Sequence, residues 1–239
     1  MGILVYAGDG VSPFSLSETL RTLREVSERV EVVDHLVLKE KKWEKDTKLI
    51  VFPGGRDIPY DRNLKGKAAA KIRNFVARGG SYLGICAGAY FGTHEVAFEK
   101  GTPLEVHENR DLKFFPGVAV GTLYSDADFS YESETGSHPS EISFNGQSLY
   151  LYYNGGCTFK KVRQFSNVKI LATYLDARDQ PAIIHCAVGK GNAVLSGVHF
   201  EVSSGALKEK GCTPIIFERL QESDRKRQSL IGTVLNYLL

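Results

Sequence analysis

Cysteine, proline and net charge are all scarce in this chain of 239 residues, and each scarcity excludes something. The four cysteines, Cys86, Cys157, Cys186 and Cys212, stand 71, 29 and 26 residues apart without a CxxC pair, which argues against a zinc ribbon, a dithiol redox centre or a disulfide scaffold. No metal or cofactor is called for. Lys and Arg number 30 against 28 Asp and Glu, leaving a formal charge of +2, too little for the broad basic field that nucleic-acid binding needs. No apolar run approaches the roughly 18–20 residues of a membrane span, and the first residues lack the basic stretch and small-residue cleavage site of a secretory leader. The expectation is a cytoplasmic protein that engages neither nucleic acid nor membrane.

What is present is an apolar content of 42% with 24 glycines and only 8 prolines, the composition of a packed globular chain. No repeat, linker or low-complexity tract divides it, so one domain over residues 1–239 is expected. Ile3–Tyr6 reads as a strand that ends in the loop of Gly8, Asp9 and Gly10. Ser15 and Glu18 have the spacing of a capping box, and Leu16, Leu20, Leu23, Val26 and Val30 form a helical stripe. Glu31–Leu38 and Leu49–Phe52 read as the second and third strands, and this βαβ order predicts parallel strands joined by right-handed crossovers. A second stripe, Leu64, Ala68, Ile72, Phe75 and Val76, stops at Gly79 and Gly80, and Ser81–Ile85 follows as a short buried strand.

Beyond residue 100 the aromatic, turn-rich texture predicts antiparallel strands and hairpins, among them Ile183–Val188 with Ala193–Val198. A last helix buries Leu230, Ile231, Val234, Leu235 and Leu238, and Arg225, Lys226 and Arg227 read as its solvated opening. The predicted fold class is α/β, a mostly parallel sheet flanked by helices with an antiparallel extension in the second half.

Gly84, Cys86 and Gly88 form a G-x-C-x-G string where a strand turns into a helix. A nucleophile elbow has this form: the turn strains the nucleophile's backbone, and its neighbours are glycine so that no Cβ strikes the sheet. Cys86 would then stand above the carboxyl ends of the strands, at a helix N-terminus that favours thiolate. A thiolate nucleophile needs a base and a group to orient that base. His199 follows the apolar run 193–198 and so also lies at a strand end, with Glu201 near enough in sequence to bend back toward its Nδ1. Donors for a developing oxyanion are expected from the Ala87 N–H and from a second glycine loop, Gly54 and Gly55. Arg56, Asp57 and Tyr60 follow in that loop as candidate substrate contacts. His35, His94, His107, His138 and His185 have no comparable context and read as structural or surface residues.

The stretches 51–60 (VFPGGRDIPY), 84–93 (GICAGAYFGT), 110–117 (RDLKFFPG) and 153–156 (YNGG) resemble, in that order, the N-terminal domain of fungal-type biotin–protein ligases, which also occurs as a standalone protein. That domain falls in the class I glutamine amidotransferase-like superfamily. The resemblance implies a flavodoxin-like sheet, a Cys86–His199–Glu201 triad and an association with biotin metabolism, with a biotin ligase or its biotin-acceptor protein as partner.

Two departures matter. Glutaminases of the superfamily carry Gln four residues after the nucleophile, where this chain has Tyr90. Its flat apolar body and single hydroxyl are expected to wall the pocket beside Cys86 for a ligand larger or less polar than glutamine. The arginine- and glycine-rich loop that holds biotinyl-adenylate in the ligase domain is also missing. Two readings follow: a cysteine-dependent hydrolase or amidotransferase acting on a small acyl or amide substrate, or a non-catalytic module that regulates protein biotinylation by binding a ligase, an acceptor protein or a small ligand. In either case the isolated chain should not attach biotin to an acceptor lysine. A streptavidin blot after incubation with ATP, biotin and an acceptor domain should stay blank, and an ATP-dependent signal would overturn the assignment.

Overall fold

β1 (Gly2–Tyr6) alternates its side chains between two cores, Leu4 and Tyr6 facing one and Ile3 and Val5 the other. Both faces are covered, which is why the strand reads as an unbroken apolar run. The computed structural model describes residues 2–124, 129–131, 136–210 and 213–239, so Cys212 lies outside the described residues. From β1 the chain passes through α1 (Pro13–Arg24), β2 (Val30–Val33), α2 (His35–Glu40), β3 (Thr47–Phe52), α3 (Asp57–Leu64), α4 (Lys67–Ala77), β4 (Ser81–Ile85) and α5 (Ala87–Phe91). Then come β5 (Thr93–Phe98), β6 (Val106–Asn109), β7 (Phe115–Gly121), β8 (Ser137–Phe144), β9 (Gln147–Asn154), β10 (Thr158–Phe159), β11 (Val168–Tyr174), β12 (Gln180–Val188) and β13 (Gly191–Ser196). α6 (Ser204–Lys210) and α7 (Pro214–Leu238) follow.

Among the described residues the strands form two sheets. The larger has nine strands in the order β2-β1-β3-β4-β13-β12-β11-β8-β9. Its first five are parallel neighbours in the flavodoxin-like arrangement, and the remaining four extend it antiparallel. α4 covers one face with Ala68, Ile72, Phe75 and Val76, and α7 covers the other with Leu230, Ile231, Val234, Leu235 and Leu238. Chain direction across the sheet reverses between β1 and β3, so the loops leaving those strands diverge and open a crevice over the carboxyl ends. Among the described residues no helix is long and apolar enough to cross a membrane.

Several local expectations are corrected. α1 is capped by Ser12, whose hydroxyl accepts from Ser15 N at 3.4 Å, with Pro13 at the first helical position. Ser15 is therefore inside the helix rather than its cap. The helix stops at Arg24, leaving Val26 exposed and Val30 in β2. The expected strand Glu31–Leu38 ends at Val33, because the Asp34 side chain accepts from Val37 N at 2.9 Å and starts α2. The stripe from Leu64 to Val76 crosses two helices separated by Gly66 at φ 75°. The segment after residue 90 does not only prolong the main sheet: β10-β7-β5-β6 form a second sheet, in which β5 and β7 run parallel. Arg227 is buried, donating to Phe200 O at 3.1 Å and to Asp224 Oδ1 at 3.0 Å, because α7 begins well before the basic run and presents that residue inward.

The turn between β4 and α5 leaves no room for side chains beside the cysteine. A Cβ on Gly88 would lie 2.0 Å from Phe52 O, and one on Gly84 would lie 2.3 Å from Gly88 O. Backbone cannot yield as a flexible side chain does. Gly88→Ala should cost about 3 kcal/mol or more of stability, a fall in melting temperature of roughly 6–12 °C. An unchanged melting curve would show that the elbow relaxes freely.

Candidate functional site

Cys86 occupies the joint between β4 and α5 with φ 49° and ψ −104°, a strained conformation for a residue with a Cβ. Its N–H donates to Ser196 O at 2.8 Å, and Gly88 N–H donates to Pro53 O at 3.2 Å, so the elbow is tied to the ends of both neighbouring strands. The β4–β13 register pairs Ile85 with Ser196, which brings the residues after β13 alongside the cysteine. His199 N–H is fixed by Tyr152 O at 2.8 Å. Beyond Tyr152, at the end of β9, Asn154 O lies 3.7 Å from Cys86 Sγ.

The imidazole is held from behind. His199 Nδ1 lies 2.8 Å from Glu201 Oε1, and Ser15 Oγ donates to the same oxygen at 2.8 Å while accepting from Gly54 N–H at 2.9 Å. Ser15, read from the sequence as a cap, therefore links the acid to the glycine loop. Gly54 has to be glycine here, because a Cβ on it would stand 2.5 Å from His199 Cε1. The side chains of His199 and Glu201 are 7% and 1% exposed. Burial opposes charge on the imidazole, but the Glu201 carboxylate and hydrogen bonds with Cys86 and Glu201 outweigh it, and the pKa of His199 is pushed up to about 10.

A cleft of about 520 Å³ opens over Cys86 and His199, bounded by the loops after β1 and β3 and by Phe14 and Tyr152. Gly55, at φ 140°, lines it, and Ala87 begins α5 directly after the cysteine. Neither N–H is engaged in a backbone hydrogen bond among the described residues. Arg56 lines the cleft with its guanidinium 4.3 Å from the centre of the Tyr131 ring. Tyr60, expected beside a substrate, is instead fully buried under the loop, donating to Pro53 O and Gly54 O at 3.2 and 3.3 Å. Tyr90 is also buried, and its hydroxyl donates to Gly156 O at 2.9 Å. Asp57 lies deeper, with Oδ2 accepting from Arg110 Nε at 2.7 Å.

The geometry therefore gathers Cys86, His199, Glu201, Gly54, Gly55, Ala87 and Arg56, sets Tyr60 behind the loop, and adds Ser15, Asn154 and Arg110. Among the described residues no group of three His, Cys, Asp or Glu is placed to hold a metal ion. Cys157 and Cys186 are free but buried; burial pushes the first well above the usual thiol range and the second up to about 12.

The chain belongs to the family described as biotin–protein ligase, N terminal, whose model matches residues 1–239. It is 42% identical to an uncharacterised protein of Chlamydia muridarum over 208 residues, which cover 83% of this chain and 80% of that one. A biotin–protein ligase of Schizosaccharomyces pombe is 36% identical over the whole chain, which spans only 38% of that protein. Among solved structures, PurLQS from Thermotoga maritima matches with a TM-score of 0.62 at 15% identity, covering 99% of this chain and 98% of that one. A protein of Thermoplasma acidophilum described as a putative GMP synthase component matches with a TM-score of 0.50 at 14% identity, covering 96% and 98%. At these identities the likeness is one of fold, which this chain shares with both structures.

A histidine whose pKa is raised on folding binds its proton more tightly in the native state. The stability this adds is complete below the unfolded value near 6.5 and is lost as pH rises through about 10. Between pH 7 and 10.5 the melting temperature of the native sequence should therefore fall more steeply than that of His199→Gln. Parallel curves would refute the raised pKa.

Proposed function

We propose that the chain is a cysteine-dependent hydrolase or amidotransferase that forms a thioester on Cys86. The observation that carries this reading is the run of contacts from Cys86 through His199 to Glu201 and Ser15 at the mouth of one cleft. With a pKa of about 10, His199 is an imidazolium at neutral pH. The cationic imidazole beside the Cys86 sulfur favours negative charge on that sulfur as it attacks. The sulfur attacks a carbonyl carbon, and the oxygen gathers charge against the N–H groups of Gly55 and Ala87. The imidazolium gives its Nε2 proton to the leaving group, whose bond to carbon breaks, and the acyl group stays on sulfur. Water or an amine then attacks the thioester, passes a proton to His199 and carries the acyl group away.

Glutamine is a poor fit, because the Tyr90 hydroxyl is engaged by the Gly156 carbonyl and offers no amide donor and acceptor pair. A second reading, an accessory module for protein biotinylation, is favoured by the fission yeast ligase that contains a relative of the whole chain. A ligase or an acceptor protein would then bind this chain without turnover.

Iodoacetamide at about pH 6.5 should alkylate Cys86 well ahead of Cys157 and Cys186, and His199→Ala should slow that step by about tenfold or more. Equal labelling of the three thiols, or no effect of the variant, would refute the enzyme reading. Hydrolysis of activated esters that disappears in Cys86→Ala would reject the non-catalytic one.

A further inference from the structure

Two spaces meet at Cys86. The outer is the 520 Å³ cleft, which His199 borders together with Arg56, Phe14 and Tyr152. The inner is a chamber of about 20 Å³ that Cys86 lines together with Asp57, Tyr90, Phe98, Phe129 and Tyr131. Of the two spaces, His199 borders only the outer. In acyl transfer the leaving group must take a proton from the imidazolium, so it sits on the histidine side. The rest of the acyl group then points the other way, into the chamber.

The size of that space limits the acyl group. It holds about one water-sized group, enough for one or two heavy atoms beyond the carbonyl. Its walls determine their chemistry. Tyr90 with Phe98, Phe98 with Phe129 and Phe129 with Tyr131 meet edge to face, with centroids 5.7, 5.4 and 4.9 Å apart, while Phe98 and Tyr131 stack at 6.1 Å. Rings attract cations over their faces, as the Arg56 guanidinium 4.3 Å from the centre of the Tyr131 ring does on the side of the outer cleft.

Asp57 supplies the ionisable acid among the lining side chains. Its carboxylate raises the pKa of Tyr131, second only to burial among the causes. Arg110, 2.7 Å from Asp57, also pairs with the exposed Glu108 at 2.9 Å, so two carboxylates share one guanidinium. Burial raises the Asp57 carboxyl in spite of Arg110, so a second cation would relieve it.

We infer that the chamber is the acyl subsite and that it selects a short acyl group ending in an ammonium, of glycyl size. The inference rests on the thioester reading above. The sulfur–carbon bond forms as the bond to the leaving group breaks, with the proton passing from His199 to the leaving group. Water then attacks, His199 takes its proton, the sulfur–carbon bond breaks with its electron pair returning to sulfur, and glycine leaves.

The test compares 4-nitrophenyl esters of glycine, propionic acid and leucine, with intact-mass detection of the thioester on Cys86. The glycyl ester should acylate Cys86 at least about tenfold faster than the isosteric propionyl ester, and the leucyl ester should be slowest. Asp57→Asn should bring the glycyl and propionyl rates together, chiefly through KM. Since Asp57→Asn also removes the partner of buried Arg110, Tyr131→Leu serves as a second variant: it opens the wall, and the leucyl ester should gain on the glycyl one. Equal glycyl and propionyl rates in the native sequence, or a leucyl ester that reacts fastest there, would overturn the subsite while leaving the thioester reading intact. No thioester from any ester would overturn both.

Discussion

Cys86 at φ 49° and ψ −104° is the constraint on which the site depends. A residue with a Cβ in such a conformation costs of order 1–3 kcal/mol and persists only where its surroundings over-determine it. Here the surroundings do so from three directions. The Cys86 N–H is taken by Ser196 O, Cys86 O accepts from Ala89 and Tyr90 N–H, and Gly88 N–H is taken by Pro53 O. Those bonds tie β13, α5 and the β3 loop to one another through the elbow. The strain thus fixes the strand ends that carry His199 and the glycine loop, and the same turn that lifts the sulfur above the sheet aligns its partners.

The buried charges follow a related logic. Glu201 is 1% exposed, and its Oε1 receives both His199 and Ser15, while its Oε2 has no hydrogen-bond partner among the described residues. A carboxylate so removed from water is costly unless a cation stands beside it. That cost is why the imidazole keeps its proton to about pH 10 even though burial alone would strip it. Arg110 plays the opposite part under the β3 loop: a guanidinium without side-chain exposure, held by Asp57 and Glu108. Removing either partner of that pair would strand a buried charge, whereas the ordinary surface pairs of α1, such as Arg21 with Glu25, contribute little.

How much of this was legible in the sequence depended on how local each signal was. The central strands could be read because burial on both faces makes them unbroken apolar runs, and the elbow because a sharp turn writes its glycines next to the cysteine. His199 and Glu201 were legible from strand position and a two-residue spacing. Ser15 was not, since a serine three residues before a glutamate looks like a cap; Pro13 at the helix start, with Ser12 before it, was the available signal. Asp34 carried the same kind of signal for α2. The second sheet and the Asp57–Arg110 pair were hidden for a different reason: both join segments distant in sequence, and periodicity within a window says nothing about such pairings.

Tyr90 illustrates the limit of reading a position by analogy. Four residues beyond Cys86, it stands where a ligand contact was expected, and its ring does border the inner chamber. Its N–H returns to Cys86 O at 3.0 Å, so its position is set by the elbow itself. The hydroxyl, however, is committed to the Gly156 carbonyl, with Gly155 O at 3.2 Å, and burial raises its pKa well above the ordinary value, so it remains a donor. That bond holds the loop in which Asn154 O faces the Cys86 sulfur. A glutamine side chain at this place would leave the hydroxyl's role to its amide and take from the chamber one of its four rings. The residue therefore acts on the site through shape, fixing one wall of the inner chamber, while its hydroxyl hydrogen is already committed to the loop.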